Sequence, residues 1–272
     1  MKRHPLITFF VLSYAIGWGL IPFWTFAAFS PLVAAFVVIS LTQGLSGLKE
    51  LGLRMIRWRV RWYWYVVAIA LPLTVVMLTA GLNVALGASA PSMIQFSSVS
   101  TILLVFAVRL VNPGDGPMGE EPGWRGFALP GLQSTLSPLV STVILAVLVT
   151  GWHVPILFLE EGGLQPSFFV GYLLGSVAVT FWYTWMFNHT GGSVLITIIS
   201  HSAQGTITVS GFWSAGADLA QANLLFGVVA SAVAIGLVVF DWKAWRGPAP
   251  TQATTVLSIP PTPREAPPAT PA

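Results

Sequence analysis

Residues 136–158 read LSPLVSTVILAVLVTGWHVPILF, a run without a single Asp, Glu, Lys or Arg. A helix that crosses a bilayer core needs about 20 predominantly apolar residues, and this run supplies them. Outward from it, runs of the same kind recur from Leu6 to Trp242. Only 8% of the 272 residues are charged, 55% are hydrophobic, and the mean hydropathy is +0.78. The fold class is therefore all-α: a polytopic transmembrane helical bundle. Hydropathy predicts eight spans, at about 5–27, 29–45, 62–82, 96–113, 136–158, 167–187, 192–212 and 221–242. The first follows Lys2-Arg3-His4 and outruns the roughly 7–15 apolar residues of a signal peptide, so it is read as a retained helix. The spans at 29–45 and 96–113 are short and require tilt or local thinning.

Charge sets the orientation. Alternating spans from an inside N-terminus places Lys2, Arg3, Lys49, Arg54, Arg57, Arg59, Arg61, Lys243, Arg246 and Arg264 on one side, with Arg109 and Arg125 near the same face. The loops near 83–95, 159–166 and 213–220 hold no Lys or Arg, only Glu160, Glu161 and Asp218. The positive-inside rule then makes both termini cytoplasmic. Residues Lys49–Trp64 interleave four arginines with Trp58, Trp62 and Trp64, which reads as a membrane-interface segment with an aromatic belt. A specific lipid or substrate contact is the alternative. A pI near 9.5 suits anionic lipid headgroups as partners and not nucleic acid.

One integral domain, 1–246, is expected, followed by a Pro-, Ala- and Thr-rich tail, 247–272, that cannot bury a core. The absence of cysteine excludes disulfides, thiolate metal sites and a cysteine nucleophile. No internal repeat supports a transporter that uses the buried ionisable groups as a proton relay.

Against this background Gly119-Glu-Glu-Pro-Gly-Trp-Arg-Gly126 is an energetic anomaly. An ionisable group in a membrane segment costs about 2.5–3.5 kcal/mol on insertion scales and is a functional candidate for that reason. Helix geometry divides the acidic pair. Glu121 and Arg125, four apart, share a face with the acid N-terminal, the favourable order, whereas Glu120 lies about 100° away and is free to act as a general base or acid. Pro122 belongs in a first helical turn, so the helix is expected to open close to Glu120, after the turn-forming Asn112–Pro117. The competing structural reading is one buried ion network of Glu120, Glu121 and Arg125 that only fixes packing. His153, in Thr150-Gly-Trp-His-Val-Pro155, and His201, in Ile198-Ile-Ser-His-Ser-Ala-Gln204, lie in separate apolar spans. Either alone fits an interhelical hydrogen bond; with the acidic pair they form a candidate site. His4 and His189 lie at span ends and are read as solvated.

Gly-Glu-Glu-x-Gly-Trp-Arg-Gly, then Trp-His-x-Pro, then Thr-Gly-Gly-Ser ahead of an apolar run ending in His, resembles the CPBP family of CAAX-processing and bacteriocin-processing intramembrane proteases. Ser-Pro-Leu-Val-Ala-Ala at 30–35 and the basic segment at 57–62 extend the resemblance over most of the chain. It implies that Glu120 and His153 activate a water, that His201 holds the oxyanion, and that Glu121 and Arg125 support the site. It also implies an asparagine four positions after His201, where this chain has Gly205. The oxyanion role then passes to Gln204, a backbone N–H, His201 alone or a water; loss of one such donor costs about 10²–10³ in turnover.

The function expected is an intramembrane endopeptidase acting on a membrane-anchored or hydrophobic protein or peptide, prenylated CAAX-like substrates among them, in what is read as a bacterial cell membrane. A weakened or inactive membrane scaffold or immunity protein of the same fold is the alternative that Gly205 favours. The expected mechanism is metal-free, because His153 and His201 lack the i,i+4 spacing of H-E-x-x-H. Zinc on Glu120, His153 and His201 is the metalloprotease alternative.

Overall fold

The computed structural model describes residues 4–91, 98–159 and 164–247. The expected tail, all but Gly247, and parts of the loops at 83–95 and 159–166 lie outside them. The described residues form helices without a strand: α1 Pro5–Gly19, α2 Ser30–Thr42, α3 Gly44–Met55, α4 Tyr63–Ala85, α5 Val99–Val111, α6 Gly116–Gly123, α7 Leu129–Gln133, α8 Pro138–His153, α9 Pro166–His189, α10 Val194–Thr206, α11 Ala217–Phe240 and α12 Trp242–Arg246. Apolar side chains face outward along them, among them Ile7, Phe36, Leu104, Val147 and Val239. A soluble fold would bury such rows; a membrane protein turns them to lipid.

Among the described residues, six helical stretches are long and apolar enough to cross a membrane: Pro5–Phe23, Tyr63–Ala85, Val99–Gln133, Pro138–Phe158, Pro166–His189 and Ala217–Phe240. The predicted spans at 29–45 and 192–212 are instead helices of 13 residues each. At 1.5 Å per residue each is about 20 Å long, short of a bilayer core of about 30 Å. Both end for local reasons. Gly44 turns with φ +65° after α2, and Ile207 leaves the helix in an extended conformation after α10. The short predicted span at 96–113 is extended by the motif segment as far as Gln133.

That motif segment is the centre of the fold. It opens at Gly116, a full turn before the expected start near Glu120. Asp115 caps it, its Oδ1 accepting from the Gly116 N–H at 2.7 Å, and Pro117 takes the first-turn place that the sequence reading gave to Pro122. Pro122 therefore lies inside the helix. A proline there has no N–H for the carbonyl four residues back, and the backbone widens directly afterwards into a π-helical turn over Trp124–Ala128. Such turns frequently mark functional sites.

Two glycines seat the segment. A Cβ at Gly119 would stand 2.5 Å from Pro113 O and 2.8 Å from Ala28 O, and one at Gly123 would stand 2.5 Å from Pro31 O. Spaced four apart, they present a side-chain-free stripe that lets backbones touch, the device by which small residues bring membrane helices together. This explains why 30–35 belongs with the motif: it is the surface the motif rests on. Aromatic packing closes the other side. Trp124 meets Phe9 at 5.4 Å and Trp152 at 5.5 Å, both edge-to-face, and all three side chains are fully buried. Arg54, expected at the membrane interface, is also buried; it pairs with Glu50 at 3.2 Å and donates to Gly126 O at 3.3 Å inside the π turn. The interface reading does describe Trp58 and Trp62, which are 62% and 76% exposed.

Because the atom that meets a Cβ at position 123 is backbone, α2 or the motif has to move. Gly123→Ala is therefore expected to destabilise by about 1–3 kcal/mol, the usual cost of overpacking. It should show as a lower unfolding midpoint in detergent; an unchanged midpoint would mean that the two backbones do not rest on each other.

Candidate active site

Each helix contributes a side chain for a local reason. The 100° offset along α6 sends Glu120 and Glu121 in different directions, and both are buried, at 5% and 0% exposure. Glu121 Oε1 accepts from Arg125 Nη1 at 3.0 Å, the i,i+4 pair expected from the sequence. It also accepts from His201 Nδ1, again at 3.0 Å, so Glu121 has a partner outside the motif that the sequence did not reveal. Glu120 turns the other way. Its Oε2 accepts from Trp124 Nε1 at 3.3 Å and lies 3.5 Å from His153 Nε2.

Hydrogen bonding orients both histidine rings. The Val149 carbonyl, 2.8 Å from His153 Nδ1, can only accept. Nδ1 therefore carries a proton, and Nε2 is directed at Glu120 Oε2, 3.5 Å away. His201 Nδ1 likewise donates to the Glu121 carboxylate, leaving Nε2 for the cavity. The Tyr183 ring stacks on His201 at 5.3 Å, and the Arg125 guanidinium lies over the same ring at 5.0 Å. Glu121, Arg125, Tyr183 and His201 thus form one buried assembly.

Glu120, His153, His201 and Gln204 line one cavity of about 430 Å³. Its far walls are mixed, with Phe168, Tyr172 and Phe226 beside Gln165, Ser176 and Asn223. The three residues expected to be catalytic therefore converge, although they come from α6, α8 and α10. Gly116 is a residue that the sequence reading missed. A Cβ there would stand 2.8 Å from Glu120 Oε1 and 3.4 Å from His201 Nε2, so the absent side chain is what leaves the space between acid and histidine open.

Among the described residues no group of three His, Asp or Glu side chains is placed to hold a metal.

A polytopic helical membrane protein with a buried carboxylate–histidine site is the class that this fold and site define. Residues 96–207 match the family described as Rce1-like, type II CAAX prenyl endopeptidase. The match supports the CPBP/CAAX protease family, a peptidase family, for this chain, and the matched stretch contains Glu120, Glu121, Arg125, His153 and His201. No curated relative matches the chain.

Removing one partner of a buried ion pair leaves an uncompensated charge and costs about 3–5 kcal/mol. Arg125→Ala and Glu121→Ala are both expected to lower folded yield and unfolding midpoint in detergent. Gly116→Ala is expected to behave differently, with a near-normal midpoint but lost turnover, because its Cβ meets side-chain atoms of the site. If Gly116→Ala loses stability and keeps turnover, the opening between Glu120 and His201 is not where the reaction happens.

Proposed function

We propose that the chain is an intramembrane endopeptidase that hydrolyses a peptide bond of a membrane-associated protein or peptide at a water activated by Glu120 and His153. The observation that carries this reading is the convergence of Glu120, His153 and His201 on one cavity. A water between them donates one O–H to Glu120 Oε2 and the other to His153 Nε2. Glu120 takes the proton as oxygen attacks the scissile carbonyl carbon. The carbonyl oxygen, now an oxyanion, is held by His201 Nε2–H in the imidazolium form, with Glu121 as its counter-charge, and by the Gln204 amide on the same wall. Glu120 then returns the proton to the leaving amide nitrogen, the C–N bond breaks, and a carboxylic acid and an amine result, the acid's proton passing to the amine to leave a carboxylate and an ammonium group.

The mixed cavity wall suits a substrate that approaches from the bilayer. Prenylated CAAX-like proteins are the substrate class the family description names, and we place this chain's substrate in that class, reached from the cytoplasmic side of a bacterial membrane. The reaction as written needs no metal.

Glu120→Ala and His201→Ala, assayed separately on a lipid-anchored reporter peptide in vesicles, should each lower cleavage by about 10²-fold or more. If cleavage survives both, Glu120 and His201 do not carry the reaction and this mechanism fails; a wild-type chain that cleaves nothing is the outcome that a silent scaffold of the same fold predicts. Treatment with a zinc chelator should leave activity intact; loss of activity with recovery on zinc add-back overturns the metal-free route.

A further inference from the structure

Arg109, on α5, lies outside the sequence motifs and does not line the cavity, yet it touches both halves of the site's framework. Its Nη1 pairs with Asp115 Oδ2 at 3.1 Å. The other oxygen of the same carboxylate caps the motif helix at the Gly116 N–H, 2.7 Å away. Both oxygens of Asp115 are thus committed, one to Arg109 and one to the end of the helix that carries Glu120. The second arm of Arg109 runs to α10, where a Cβ on Gly205 would stand 2.2 Å from Nη2 and 2.6 Å from Cζ. Gly205 lies one turn beyond His201. The guanidinium therefore fills a notch that exists only because position 205 has no side chain.

We propose that Arg109 is a positioning residue: seated in the Gly205 notch and paired with Asp115, it sets the spacing between the start of α6 and the His201 turn of α10, and so the alignment of Glu120 with His201. The geometry that depends on it is tight. A Cβ at Gly116, the residue whose N–H Asp115 caps, would stand 2.8 Å from Glu120 Oε1 and 3.4 Å from His201 Nε2, so a shift of the α6 start relative to α10 changes the space between those two atoms. The planar, two-ended guanidinium suits such a bridge better than an ammonium group, because its donors are fixed relative to each other. The inference rests on the hydrolytic reading above for its effect on turnover, but its structural content stands apart from that reading.

The notch provides a variant that spares the fold. A methyl group at 205 meets the far end of a flexible side chain and not backbone, so Gly205→Ala evicts the arm without moving α10. The full chain is assayed in vesicles with a farnesylated, internally quenched peptide ending in Cys-Val-Ile-Met. Arg109→Ala and Gly205→Ala should each lower kcat by about 10- to 100-fold, the range for displacement of catalytic groups by about 1 Å. KM should stay within about two-fold. Because both variants break one contact, Arg109→Ala/Gly205→Ala should be no slower than the worse single variant. Two independent losses that multiply overturn the proposal, as does a wild-type kcat in either single variant.

A second readout needs no turnover. The chain has four histidines, so ¹⁵N-histidine labelling gives a spectrum in which His201 is assigned by its loss in His201→Gln. Its ring signals should move in both single variants and no further in the double; signals that stay at their wild-type positions overturn the proposal. The two failures separate cleanly. If Glu120→Ala abolishes cleavage while Arg109→Ala leaves kcat and the His201 signals unchanged, only the positioning role falls. If Glu120→Ala cleaves like wild type while the His201 signals move as stated, the assignment of Glu120 as the base falls and the positioning role stands.

Discussion

The Glu121 carboxylate is the interaction on which the rest of the site depends. It is fully buried in a segment where an ionised group is costly, and it persists because two donors converge on one oxygen, Arg125 from its own helix and His201 from α10. The arrangement does more than neutralise a charge. It ties the motif helix to α10, orients the His201 ring, and leaves Glu120, one residue earlier, free of Arg125. Two adjacent carboxylates thus take different roles because a helix turns them 100° apart and only one faces the arginine.

Close backbone packing makes that arrangement possible. The motif helix is held by what its glycines lack. Gly119 and Gly123 bring it against the backbone of 28–31, and Gly116 keeps the space between Glu120 and His201 open. On the opposite side Trp124 is locked among Phe9, Phe10 and Trp152, and its Nε1 donates to Glu120. The packing that buries the helix therefore also aims the Glu120 carboxylate. Pro122, which a long regular helix would exclude, is accommodated because the backbone widens into the π turn just after it, and Arg54 donates to a carbonyl of that turn.

The parts of this design that were legible in the sequence are those encoded at short range. Apolar runs announce membrane helices, and the i,i+4 pairing of Glu121 with Arg125 follows from helix arithmetic alone. The convergence of His153 and His201 with Glu120 was suggested by the scarcity of other ionisable residues. Long-range contacts left no such trace. Arg54 and Arg109 read as topology charges near helix ends, because nothing local says that one reaches residue 126 and the other the notch at 205. The predicted spans at 29–45 and 192–212 contain 13-residue helices for a related reason: hydropathy registers an apolar run but not the glycine or extended residue that ends the helix within it. The start of α6 was misplaced because two prolines competed for the first turn, and the Asp115 cap settled the matter in favour of Pro117.

Gly205 illustrates how a missing side chain changes meaning once its surroundings are known. From the sequence it was a gap where a donor was expected four residues after His201, and the feature that most favoured an inactive protein. In the fold the space is not empty: the Arg109 guanidinium occupies it from α5. A side chain at 205 and the present course of Arg109 exclude each other sterically, so the two positions form one unit. Gln204, one residue earlier, lines the cavity that holds Glu120, His153 and His201. The position without a side chain receives a cation that bridges the start of α6, through Asp115, and the His201 turn of α10.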